Sequence, residues 1–183
     1  MTRLIAGVAG GRRLVTPRGA ATRPTADRTR EALFSSIESL CGGLAGASFL
    51  DLYAGSGAVG LEAASRGADR VLLVERDPTA IRAIRANLDA LRLPGVELRT
   101  DPVERLLDDV PGSPYDVVFL DPPYADPIAT ALHRIVTGGW LVRDGLVAVE
   151  RGTRDAPLNW PEGITALRSK AYGEATLWYG RRS

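Results

Sequence analysis

The chain alternates short apolar runs with amphipathic stretches. Residues 48–53, 70–75, 96–99, 115–120 and 146–150 are mostly apolar and of strand length. Between them, 57–66, 102–109 and 127–136 read as short helices, the first stopped by Gly67. A longer helix begins with Asp77 as its cap and Pro78 at its first position, with Ile81, Ile84, Leu88 and Leu91 on one face and Arg82, Arg85 and Arg92 elsewhere. Near-continuous apolar strands separated by helices predict a parallel sheet covered on both faces. The tail departs from this rhythm. Residues 164–171 and 175–179 read as strands joined by Tyr172-Gly173-Glu174, and so short a link makes an antiparallel hairpin.

The first 40 residues follow a third pattern. Leu4-Ile5-Ala6 and Leu14-Val15 flank a basic, glycine-rich stretch and predict a hairpin. A loop leads to a helix capped by Thr25 or Asp27, with Leu33, Ile37 and Leu40 on one face and Gly42-Gly43 ending it. The charge is uneven. Residues 1–30 hold seven arginines and one acid, residues 31–150 ten bases and eighteen acids, and residues 151–183 six bases and three acids, within a net charge of +1. A basic arm on an acidic body predicts contact with phosphates through Arg3, Arg12, Arg13, Arg18, Arg23, Arg28 and Arg30. The expected division is a basic arm over 1–24 and a ligand-binding domain over 25–183, together one compact unit.

Composition narrows the classes. The 183 residues suffice for one domain with a real core, and 45% hydrophobic content argues against disorder. No apolar run reaches the ~20 residues of a membrane span, and no signal peptide is indicated. The one cysteine, Cys41, fits a reducing cytoplasm and is expected to be small and buried or half-buried. One Cys and one His make a metal site improbable, and His133 is expected to be structural or superficial.

Two constellations carry chemistry. The run Phe49 to Ala54 leads into Gly55-x-Gly57-x-x-Gly60 and a helix, and Glu75 follows at the end of the next strand. Glycines permit a tight turn and close backbone approach, and Glu75 can take two ribose hydroxyls. This pattern is open to NAD, FAD or S-adenosylmethionine. Asp51 favours the last, since it would repel a pyrophosphate and attract an ammonium or sulfonium. Asp101, ending the third strand, can accept from an adenine amino group or cap a helix. Tyr53 and Arg76, beside the turn and Glu75, complete the expected cofactor set.

The second constellation is Asp121-Pro122-Pro123-Tyr124, closing the fourth strand. An exocyclic base amine is a poor nucleophile because its lone pair is delocalised. Acceptors that hold both N–H bonds favour a pyramidal nitrogen facing a methyl donor. The Asp121 carboxylate and the Pro122 carbonyl, fixed by two proline rings, can be those acceptors, with Asp121 also bordering the cofactor. Tyr124 can stack on the base, worth roughly 1–3 kcal/mol.

On these residues the chain resembles the class I S-adenosylmethionine-dependent amino-methyltransferases. With Ile5-Ala6-Gly7, Gly11-Arg12-Arg13-Leu14 and Arg23-Pro24-Thr25-x-Asp27-Arg28-x-Arg30-Glu31-Ala32-Leu33-Phe34, it resembles the bacterial RsmD-type family over residues 3 to about 180. The resemblance implies a Rossmann-like α/β fold with a seven-stranded, mostly parallel sheet and an antiparallel last strand. It implies S-adenosylmethionine at Asp51, Gly55, Gly57, Glu75 and Asp101, yielding S-adenosylhomocysteine, and catalysis at Asp121 to Tyr124. It implies methylation of guanine N2 in 16S rRNA within a 30S subunit or late assembly intermediate. A cytoplasmic monomer is expected, without metal or membrane. Pro102 departs from the common site, for it lacks the N–H that many relatives offer to adenine; Val103 is the available substitute.

Competing readings are a DNA adenine-N6 methyltransferase, a protein-glutamine methyltransferase, a non-catalytic RNA-binding module and a nicotinamide oxidoreductase. The first lacks room for a target-recognition region, the second favours Asn at position 121, the third does not explain intact motifs, and the fourth leaves Asp121 to Tyr124 without a role.

Overall fold

The structure, a computed structural model, describes residues 2–17, 24–123 and 128–183, with the side chains of residues 24 and 25 outside that description. Seven strands form one sheet: β1 (Ser48–Leu52), β2 (Arg70–Val74), β3 (Val96–Arg99), β4 (Tyr115–Leu120), β5 (Leu141–Gly152), β6 (Ile164–Tyr172) and β7 (Ala175–Arg182). Their order is β3-β2-β1-β4-β5-β7-β6. The first five are mutually parallel, while β7 runs antiparallel to both β5 and β6. This is the expected mixed sheet with its antiparallel last strand.

Alternation along each strand sends side chains to two cores. Phe49, Val71, Leu73, Val117, Phe119, Leu146 and Ala148 meet helices α1 (Pro24–Cys41), α2 (Ala58–Ser65) and α3 (Pro78–Leu91) on one face. Leu50, Leu52, Val74, Val118, Leu120, Val147 and Val149 meet α4 (Val103–Asp108) and α5 (Ile128–Thr137) on the other. Both faces of β1, β2 and β4 are dry, which explains why they read as continuous apolar runs, whereas the edge strand β3 alternates and exposes Glu97 and Arg99.

Several expectations need correction. Helix α1 already begins at Pro24, so Asp27 lies in its first turn and pairs with Arg30 at 3.1 Å instead of capping it. Strand β5 starts five residues before the expected position, because the register with β4 jumps between Tyr115 and Val117 and Asp144 adopts φ 61. Cys41 is exposed, since it ends α1 beyond the buried stripe of Leu33, Phe34 and Ile37. His133 is exposed on α5, as expected. Among the described residues no helix is long and apolar enough to cross a membrane.

The N-terminal hairpin is reduced to one bridge, Arg3 to Arg13, with Leu4 and Leu14 buried in the first core. It docks on α2 through Glu62, which is fully buried. The Glu62 carboxylate accepts from the Ile5 N–H at 2.7 Å, the Ala6 N–H at 3.0 Å and Arg66 Nε at 2.8 Å. Gly7 has φ +80, and a Cβ there would fall 1.7 Å from the Ser65 carbonyl oxygen, so only glycine allows the two backbones this close.

Candidate active site

The carboxyl ends of β1, β2, β4 and β5 open on a cavity of about 480 Å³ at the point where the strand order reverses, the position expected for a ligand in an open α/β sheet. Its lining contains eight acids and two arginines, Arg76 and Arg151. Such a wall disfavours a pyrophosphate and favours a cation. Among the described residues no cluster carries the ligands for a metal ion.

The glycine turn stands behind the wall: Tyr53 and Glu75 line the cavity, whereas Gly55 and Gly57, expected to meet the cofactor, do not. Gly55 and Gly57 have φ 59 and 79, conformations that L-residues avoid. The Glu75 carboxylate binds the turn to the end of β2. It accepts from the Gly55 N–H at 2.8 Å, the Arg76 N–H at 2.7 Å and the Asp77 N–H at 2.8 Å. Behind the turn, the buried Asn87 side chain donates to the Ser56 and Val15 carbonyls and accepts from the Val15 N–H. One amide thus joins the turn to the N-terminal segment.

Asp51 lies deeper than the sequence suggests. It is 1% exposed, accepts from the Gly60 N–H at 2.8 Å and does not reach the cavity wall. Its carboxylate therefore holds the first turn of α2 instead of facing a ligand. Burial pushes its carboxyl up to about 8; the Gly60 N–H opposes that shift, and the Asp121 and Glu75 charges add to it. Asp101 lines the cavity but does not cap α4, whose cap residue is Pro102. Its carboxylate is held by Arg99 at 3.1 Å, with Arg105 at 3.8 Å. Val103 and Glu104, at the start of α4, also reach the wall.

Asp121, Pro122 and Pro123 stand at the mouth with Tyr53, Glu75 and Arg76. Neighbouring groups crowd the Asp121 carboxyl and raise its proton affinity, although the residue itself stays exposed at the mouth. Tyr124 lies outside the described residues, as do Arg18 and Arg23. Of the other arginines expected to meet phosphate, Arg3, Arg12, Arg13 and Arg28 are exposed. Arg30 is a correction: it is 6% exposed, donates to the Arg3 carbonyl and Asp27, and lies 3.9 Å from Glu62. Six charged wall residues were missed as site residues: Asp77, Glu104, Glu150, Arg151, Asp155 and Glu174. Glu150 carried a signal, because it closes an apolar run just as Glu75 and Asp121 do.

The model of the family described as conserved hypothetical protein 95 matches residues 2–181. Ribosomal RNA small subunit methyltransferase D of Haemophilus influenzae is 34% identical over 180 residues, covering 93% of this chain and 89% of that protein. The chain belongs to the RsmD family. Among solved structures, the Escherichia coli methyltransferase candidate yhhF superposes with a TM-score of 0.88 at 31% identity, over 100% of this chain and 98% of that one. Magnesium protoporphyrin IX methyltransferase of Synechocystis, solved with bound SAM, shares the fold alone: its TM-score is 0.65 at 15% identity, over 87% of this chain and 80% of that one. The RsmD-family chain thus has a Rossmann-like methyltransferase fold, with its acid-lined cavity at the switch point of that fold.

Proposed function

We propose that the chain transfers a methyl group from S-adenosylmethionine to N2 of a guanine in 16S rRNA of the small ribosomal subunit. The observation that carries the reading is the Asp121-Pro122-Pro123 corner at the mouth of a cavity walled by eight acids and two arginines. The residues fit a cationic methyl donor. Glu75 is presented by three backbone N–H groups and keeps one lone pair, on Oε2, for a ribose hydroxyl. The start of α4 supplies backbone N–H groups beside Asp101, Val103 among them. S-adenosylmethionine supplies the electrophilic methyl group. The chain's part is to hold the amine through Asp121 and the Pro122 carbonyl, and to place it by geometry rather than by a strong base. Exposed Arg3, Arg12, Arg13 and Arg28 support RNA as the polyanion.

The deciding experiment offers labelled S-adenosylmethionine to naked rRNA, 30S particles and duplex DNA, and identifies the methylated nucleoside by mass spectrometry. N2-methylguanosine in the small-subunit RNA is expected. N6-methyladenine in DNA would overturn the reading.

A further inference from the structure

Asp121 and Glu150 stand side by side at the cavity mouth. Leu120 pairs with Val149 in the parallel β4–β5 ladder, so the next residue of each strand is a lateral neighbour on the same face of the sheet. Both line the cavity. Both carboxyls have raised proton affinity through loss of solvent, and the Asp121 charge raises Glu150 further. Among the described residues no hydrogen bond supports either carboxylate. Two neighbouring carboxylates repel each other, and a ligand presenting two adjacent N–H groups to them relieves that repulsion.

That requirement separates the purines. Guanine carries an N1–H next to its 2-amino group, so its edge offers neighbouring donors. Adenine carries a lone pair at N1 next to its 6-amino group, and a carboxylate facing it is repelled. We propose that Glu150 is the specificity-determining residue: it accepts the guanine N1–H while Asp121 and the Pro122 carbonyl hold the 2-amino group. The proposal rests on the guanine-N2 reading above, and it locates the choice of base outside Asp121 to Tyr124.

The test uses 2-aminopurine, which keeps the 2-amino group but presents a lone pair at N1. Mapping the methylated nucleotide comes first, and failure to find N2-methylguanosine there sinks the functional reading, with this proposal following it. The mapped guanosine is then replaced by 2-aminopurine riboside. Wild type is expected to lose about 10- to 100-fold in kcat/KM on the replaced RNA, the scale of a missing hydrogen bond facing an unpaired acceptor. Glu150→Gln can turn its amide N–H toward an N1 lone pair, so the preference should narrow to within about threefold or invert. Fluorescence of the 2-aminopurine, read without methyl donor, reports binding independently of turnover, and Glu150→Gln should bind that RNA more tightly than wild type does. Wild type that methylates both RNAs equally, or Glu150→Gln that keeps the wild-type preference, would overturn the proposal while leaving guanine methylation intact. If Glu150→Gln does not fold, the wild-type comparison alone still decides, because equal rates on both RNAs exclude an N1–H contact.

Discussion

Asp51 sits inside β1 and Asp121 just past the end of β4, and their surroundings give them different work. Asp121 stands at the mouth, where a substrate amine can meet its carboxylate. Asp121→Ala should therefore lower the single-turnover methyl-transfer rate by at least about tenfold and leave S-adenosylmethionine affinity nearly unchanged, because the contact is made to the amine. Asp121→Asn should be milder, since an amide oxygen still accepts; equal rates for wild type and Asp121→Ala would refute the grip. Asp51 faces α2 and is walled off. Its folded-state carboxyl is raised from 3.8 to about 8, so the native form binds a proton that the unfolded chain releases. Stability contributed by Asp51 is thus greatest at low pH and declines as pH rises through that window. Asp51→Asn keeps an acceptor for the Gly60 N–H without the charge. Thermal melts between about pH 5 and 8 should decline less steeply for Asp51→Asn than for wild type. Some slope will remain, because Asp121 and Glu150 are raised as well. Parallel curves would show that Asp51 is not the group responsible.

At the scale of elements, the N-terminal hairpin is where sequence and structure part most. Its sheet character is a single bridge, and its attachment is chemical: buried Glu62, Ser65 and Asn87 bind its backbone. Gly7→Ala puts a methyl group 1.7 Å from the Ser65 carbonyl and forbids this docking. A loss of about 1–3 kcal/mol is expected, as for an overpacked site. Faster hydrogen exchange should appear at the Leu4, Gly11 and Leu14 amides, with β1 and β4 still protected. Uniform loss of protection would mean that the hairpin and sheet unfold as one. The parallel strands and α3 were legible because apolar runs, Asp77 and Pro78 act locally. The glycine turn, Glu75 and the Asp121 corner were legible because each closes a strand. The depth of Asp51, the burial of Arg30 and the early start of β5 were not, since each depends on a partner far along the chain: Gly60, Glu62 and the β4 register. Glu150 was hidden for the same reason, as its neighbour Asp121 arrives only through strand pairing.

For the whole molecule, the charge imbalance becomes a division of labour. The acidic central section surrounds a cavity suited to a cation, and the basic N-terminal segment is clamped to the same glycine turn by Asn87. A polyanion held by that segment would lie beside the cavity without its phosphates entering the acidic wall. The arginines are not equivalent in this role. Arg30 is committed to the interior, and Arg12 donates to the Ala90 carbonyl while remaining exposed, so each arginine's share of phosphate binding must be measured. Neutralising Arg12, Arg13 and Arg18 together should weaken RNA binding and flatten the plot of log affinity against log salt by about 2–3, or 0.7–0.9 per lost phosphate contact. Arg143, exposed near the start of β5 and so at the end of that strand away from Glu150, is the control; its neutralisation should leave the slope unchanged. An unchanged slope in the triple variant would place the RNA on another face, and the proximity of the basic segment to the cavity would then serve only to anchor the fold.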